Sequence, residues 1–191
     1  MLKFDNGDNI RFTSDTHFWH KKILEYQINR GDVFDDISSM NEFLVKQWNE
    51  TVSKDDIIFH LGDFSFGTKF KTEEIIKQLN GKIYLISGNH DFLKTSRFEK
   101  YFESIRHYRE IKIGKQMIVL FHFPIYDWNN TSNGSWHLHG HTHNTYFGNG
   151  KIMDVGIDAH KELKPFTFNE ISNIMSNKVV KKHYENDKEI S

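Results

Sequence analysis

Asp56-Ile57-Ile58-Phe59-His60-Leu61-Gly62-Asp63 reads as a short buried strand that carries a carboxylate at its own carboxyl end, just past a glycine that lets the backbone turn. Two other stretches repeat the design: Ile10 to Ser14 ends directly on Asp15, and Lys82 to Ser87 ends on Gly88-Asn89. Between the strands lie helical patterns. Ile37, Met40, Phe43, Leu44, Gln47, Trp48 and Val52 recur at spacings of three and four, and Ser39-x-x-Glu42 has the form of a capping box. A second helix is predicted from about Thr72 to Leu79, stopping near Gly81. Strand, helix, strand, helix, strand is the order of parallel βαβ units, whose sites lie at the carboxyl ends of the strands.

Past Phe102 the pattern changes. Ile105 to Ile113, Gly114-Lys115 and Gln116 to Phe121 predict a hairpin that ends on His122. A polar loop over 126–135 precedes a strand into Gly140-His141 and a second hairpin turning at Gly148-Asn149-Gly150, so the second half is expected to be antiparallel. Thr167-x-x-Glu170 offers a capping box for a helix through about Met175, and the charged segment 178–191 is expected to be an edge strand or a frayed tail. With 191 residues and neither repeat nor linker, the chain is expected to be a single domain over 1–191.

Cysteine is absent, so a metal site here must be built from His, Asp, Glu and Asn. The net charge is -1 and the lysines and arginines are scattered, which favours a small phosphorylated substrate, nucleotide-like in size, over a long duplex nucleic acid. The N-terminus lacks an apolar signal core, and no run approaches the roughly 18 apolar residues of a membrane span. A cytoplasmic protein is the expectation.

Polar clusters follow one another in a fixed order: Asp15-Thr16-His17, Gly62-Asp63, Gly88-Asn89-His90-Asp91, His122 before Pro124, and Gly140-His141-Thr142-His143. All are hard or borderline ligands for divalent ions. Two such ions about 3.5 to 4 Å apart can clamp a phosphoryl group and activate the attacking water, provided a carboxylate bridges them. Asp63 is the candidate bridge. Asp15, His17 and His143 are assigned to one ion, and Asn89, His122 and His141 to the other. His90 is left beside the second ion, where an imidazole that titrates near neutrality suits protonation of the departing alkoxide.

This motif order, Asp-x-His, Gly-Asp, Gly-Asn-His-Asp, single His, Gly-His-x-His, covers residues 15 to 143 and resembles the calcineurin-like metallophosphoesterases. Ser14-Asp-Thr-His-Phe-Trp-His20, Trp48-Asn49 and Leu61-Gly-Asp-Phe64 look like a compact bacterial and bacteriophage branch. The resemblance implies an α/β fold, a four-layer αββα sandwich of two mixed sheets flanked by helices. It also implies two divalent ions, drawn from Mn, Fe, Zn, Ni and Co, and hydrolysis of a phosphodiester or phosphomonoester by a metal-bridging hydroxide with His90 as general acid. In the protein phosphatase branch the Gly-Asp motif continues to a second Asp and an Arg, whereas Asp63 here is followed by Phe64-Ser65-Phe66-Gly67. A phosphodiesterase is therefore expected ahead of a protein phosphatase. A metal-dependent nuclease and a non-catalytic binding scaffold of the same fold are the alternatives.

Other polar residues divide between site and scaffold. His20, three residues after His17, and Arg30, in a Gln-Ile-Asn-Arg-Gly turn, are candidates for substrate contact at the mouth. Asp91 is expected to fix the loop after its strand, and Asp154 and Asp158 to serve turn and backbone hydrogen bonds. His60 and His139 are expected to pack or support ligands, while His137 and His160 have no partner pattern and His183 sits in the charged tail. Trp128 and Trp136 are candidates either to stack a base or to seal the 126–135 loop.

Overall fold

Strand β3 (Ile57–His60) sits where the apolar run predicts it, and its residues divide between two cores. Phe59 and the following Leu61 face the space between two sheets, whereas Ile58 faces a helical layer. That alternation requires a sandwich, because a strand with both faces apolar must be covered on both sides. The computed structural model describes residues 1–93 and 96–182.

One sheet has the order β10-β2-β3-β4-β5 and contains β2 (Ile10–Thr13), β3, β4 (Lys82–Ile86), β5 (Ser104–Arg106) and β10 (Phe166–Thr167). β2, β3, β4 and β5 are parallel, and β10 is antiparallel to β2. The other sheet has the order β1-β6-β7-β8-β9, from β1 (Leu2–Phe4), β6 (Tyr108–Ile113), β7 (Gln116–Phe121), β8 (Trp136–His139) and β9 (Ile152–Asp154). The helices are α1 (Ile23–Tyr26), α2 (Ile28–Gly31), α3 (Ile37–Thr51), α4 (Lys69–Ile76), α5 (Ser96–Glu99) and α6 (Phe168–Ser176). The chain is thus α/β, with two mixed sheets face to face and helices flanking them.

Ile10, Phe12, Phe59, Leu61, Ile86, Ile111, Ile118, Leu120 and Leu138 fill the space between the sheets. Each such side chain withdrawn from water contributes about 1.5 to 3 kcal/mol. Met40, Leu44, Trp48 and Ile75, Ile76 from α3 and α4 close the outer face of the first sheet over Ile58, Ile83 and Leu85. Val119, Trp128 and Ile152 cluster on the outer face of the second. Trp128 and Trp136 are both buried, the former donating Nε1–H to the Ser135 carbonyl and the latter stacked on Phe168. They seal the fold and offer no face to a base.

Several expectations need correction. The β6–β7 hairpin forms as predicted, but β7–β8 and β8–β9 are parallel, so the second half is not antiparallel and no hairpin turns at 148–150. Residues 140–151 instead travel back to the start of the next strand, the length a parallel crossover demands. The predicted strand Ile105–Ile113 divides at His107, its first part pairing in one sheet and its remainder in the other. Helix α3 is capped by Asp36 with Ser39 as its reciprocal partner, three residues ahead of the predicted Ser39–Glu42 box. Helix α4 likewise starts early, because Thr68 caps it by accepting the Lys71 amide. The α6 box, Thr167 with Glu170, is as read. No strand occurs in 178–182, and the rest of the predicted tail, with His183, lies outside the described residues.

Candidate metal centre

The loop after β2 runs beside the loop after β3, tied by Asp15 N–H to the Gly62 carbonyl (2.9 Å) and His17 N–H to the Asp63 carbonyl (3.1 Å). These ties carry three polar side chains to one point. Asp15, His17, Asp63, His141 and His143 all have positive φ, from 45° to 69°. Such backbone is uncommon for residues with a Cβ, and its concentration here marks a site whose geometry outranks local strain. Close approach depends on glycine: a Cβ at Gly140 would overlap Ser14 Oγ and Asp15 Oδ2, and one at Gly88 would overlap Asp63 Oδ1.

Two groups of ligand-type side chains converge, Asp15 with His17 and His143, and Asp63 with His122 and His141. Asp63 Oδ2 lies 3.8 Å from His17 Nε2 and 3.7 Å from His122 Nε2, and so stands between the groups. Asn89 Oδ1 lies 2.9 Å from His122 Nε2 and belongs to the second group. Asp15 Oδ1 and His17 Nε2 are buried without a hydrogen-bond partner, a costly state unless something positive meets them. Several other polar atoms of these side chains are held from behind. Asp15 Oδ2 accepts the His141 amide (2.8 Å) and Asp63 Oδ1 the His90 amide (3.0 Å). His122 Nδ1 donates to the Leu61 carbonyl (2.7 Å), which turns Nε2 into the site.

Charge follows burial and neighbours. Burial pushes the Asp15 carboxyl up, but the His17 ring, whose Nε2 lies 3.7 Å from Oδ1, and the nearby His122 and His143 hold it below the usual carboxylate range. His17, His20 and His141 are all pushed down by burial first, His20 to about 4 with help from His17 and His90. Burial acts on His143 too, but its hydrogen bond to Asp158 and the charge of Asp15 hold it above its ordinary value. A buried anion beside imidazoles is a donor set that suits a divalent ion.

Arg30 is not at the mouth. It is fully buried, with Nε and one terminal nitrogen forked onto Asp158 (2.7 and 2.6 Å) and its other donors on the carbonyls of Asp15 and Thr16 and on Met40 Sδ. The substrate-contact assignment is corrected accordingly, since all five donors are used. Asp158 in turn accepts from His143 Nδ1 (2.6 Å), a supporting role that its predicted turn function missed. Hydrogen bonds from Arg30 and His143 outweigh burial and hold the Asp158 carboxyl down near 2. Asp154 does serve the turn, accepting from Thr142 Oγ1 and the amides of Asn144 and Gly156. No local pattern could have separated the two, for Asp158 meets Arg30 across 128 positions.

His20 lines the pocket beside the two groups with Tyr26, Phe66 and His90, and its Nδ1 lies 3.0 Å from His17 Nδ1. Phe66 packs against three histidines, 4.0 Å from His20, 4.9 Å from His17 and 4.8 Å from His90 between ring centroids. His90 is exposed on the far side of Asp63 and is fixed through its backbone. Asp91 points away, its carboxylate accepting the amides of Asp63, Phe64 and Gly88, as expected of a loop anchor. His60 joins Thr16 Oγ1 (3.0 Å) and His139 the Gly140 carbonyl (2.8 Å), both next to the loops that carry the two groups.

The sequence profile of the Calcineurin-like phosphoesterase superfamily domain matches residues 9–155, which include every residue of both groups. The chain belongs to that superfamily. An uncharacterized protein of Methanocaldococcus jannaschii is 36% identical over 136 residues, 70% of this chain and 69% of that protein. The gene 66 protein of Mycobacterium phage L5 is 29% identical over 184 residues, covering 79% and 87% of the two chains. Among solved structures, a protein of unknown function from Aquifex aeolicus superposes with a TM-score of 0.68 at 24% identity, over 86% of this chain and 98% of that one. The phage relatives agree with a compact phage and bacterial branch of the calcineurin-like phosphoesterases, a metal-dependent family of hydrolases. No helix among the described residues is long and apolar enough to cross a membrane.

Proposed function

We propose that this calcineurin-like phosphoesterase is a binuclear hydrolase of a phosphodiester on a small nucleotide-like substrate. The observation that carries the reading is the position of Asp63 Oδ2, within 3.8 Å of Nε2 of both His17 and His122, beside a buried and unpartnered Asp15 Oδ1. Asp15, His17 and His143 would hold one divalent ion, Asn89, His122 and His141 the other, and Asp63 would touch both. Such ions, Mn, Fe, Zn, Ni or Co by the mixed N/O donor set, would draw charge off the phosphoryl oxygens and supply the attacking oxygen at neutral pH.

The chain's own residues do the rest. His90, exposed at the pocket and tethered by its amide to Asp63, donates a proton to the leaving oxygen. In place of the Asp and Arg of protein phosphatases, the ring of Phe66 packs on His90, so the imidazole is oriented by an apolar wall. That wall provides no second cation for a phosphomonoester dianion, which supports the diester preference. Elemental analysis of purified protein, followed by assays on a generic diester, a generic monoester and a nucleotide panel, tests the proposal. Asp63→Asn should abolish turnover and His90→Ala should slow it by about 10² to 10⁴; metal-loaded protein inert on every ester would overturn it.

A further inference from the structure

Beyond Phe66 lies a second cavity, of about 620 Å³, larger than the roughly 380 Å³ of the catalytic pocket, and Phe66 lines both. Its walls include Trp19, Lys21, Leu24, Thr68 and Lys71. The size is that of a small-molecule site, and the lining is apolar with a few charged groups. Among the described residues neither Lys21 nor Lys71 makes a salt bridge, and the Lys71 ammonium instead lies 4.2 Å over the Trp19 ring. The acid at the rim, Asp36, is engaged by the Ser38 and Ser39 amides at the start of α3, both at 2.8 Å.

The position matters as much as the lining. A leaving oxygen protonated by His90 must lie against that imidazole, and the ring packed on His90 is Phe66. A group seated against His90 thus has the Phe66 ring beside it, and Phe66 also lines the second cavity.

We infer that this cavity is the subsite for the leaving group, and that the leaving group is a nucleoside bearing a further phosphate. The inference rests on the phosphoesterase reading above and on His90 as proton donor. The base is held against the Phe66 and Trp19 rings, which accept any planar ring, and the terminal phosphate lies between Lys21 and Lys71. A flexible ammonium pair suits a phosphate reached by a substrate of variable length better than a rigid fork would.

Two dinucleotide diesters, with and without a terminal phosphate on the leaving nucleoside, test this directly. In the metal-loaded enzyme the terminal phosphate should raise kcat/KM about tenfold, and in the double variant K21A/K71A that ratio should fall to near one. A ratio near one in the unaltered enzyme, with both diesters turned over, overturns the subsite and leaves the phosphoesterase reading intact. Protein inert on both dinucleotides but active on a generic diester also overturns the subsite, whereas protein inert on every ester overturns the phosphoesterase reading instead. Binding supplies a readout free of turnover: adenosine 3′-phosphate should change tryptophan fluorescence saturably in Asp63→Asn protein, with the change lost in W19F and the affinity about tenfold weaker with K21A/K71A added. Equal affinity for adenosine and adenosine 3′-phosphate, or affinity unaffected by the double substitution, would sink the proposal.

Discussion

Arg30 shows how one side chain can organise a site without touching substrate. Its guanidinium is tied to the carbonyls of Asp15 and Thr16 on one side and to Asp158 on the other, and Asp158 holds His143. Two of the proposed ligands of one metal group, Asp15 and His143, are thereby set by a single buried cation. Asp158→Asn should therefore weaken metal binding about 10 to 100-fold, read by titrating metal into the stripped protein. The same change leaves Arg30 buried and unpaired, at a cost of about 3 to 5 kcal/mol in urea unfolding. Replacing both partners, Arg30→Met with Asp158→Leu, separates the roles. The double variant should regain most of the stability but none of the metal affinity, because an apolar pair fills the volume yet cannot hold His143. Recovery of both would show that the chain from Arg30 to His143 has no bearing on the metal.

At the scale of elements, the sequence was legible where a local pattern decides the outcome and misleading where partners are remote. The strands ending on Asp15, Asp63 and Asn89 and the box at Thr167–Glu170 follow from residues a few positions apart, and they form as read. The cap of α3 was misplaced because Asp36 and Ser39 compete with Ser39 and Glu42 for the same signature, and only backbone geometry decides between them. The direction of β9 was unreadable for a different reason. Gly148 to Gly150 suits a tight turn, but burial of Ile152 and Met153 against β8 selects the parallel pairing over the shorter route. Arg30 fails in the same way, since its partner Asp158 is remote in sequence. These assignments are testable by capping. Thr167→Ala should cost about 1 kcal/mol, and Asp36→Ala should lower the urea midpoint while Glu42→Ala leaves it in place. A larger effect at Glu42 than at Asp36 would restore the cap first read from the sequence.

Across the whole molecule, the site and its supports concentrate buried histidines, and this sets the acid limit of the fold. His60 and His137 are both enclosed, and burial pushes them to about 3 and about 4 from an ordinary 6.5. His60 is shared between Thr16 Oγ1 and the Gly62 amide, as suits a neutral ring; His137 has the Val119 carbonyl at Nδ1 and the Phe123 carbonyl and Ile125 amide at Nε2, and burial outweighs the pull of the two carbonyls. A folded value below the unfolded one means that the contribution is intact above pH 6.5. Below that, the unfolded chain takes up protons that the folded chain refuses, and stability falls as the pH drops toward the folded values. Each group alone accounts for about 1.4 kcal/mol per pH unit in that window. Asp158, held near 2 against an ordinary 3.8, loses its contribution only between those values, well below the histidine window. Urea unfolding of metal-stripped protein should therefore show stability falling steeply from about pH 6.5 to pH 4, before the carboxylates protonate. His137→Gln, which cannot titrate, should shrink the slope by about 1.4 kcal/mol per unit. An unchanged slope would mean that the unfolded chain gains no proton advantage at this position, and the acid limit would then belong to the carboxylates.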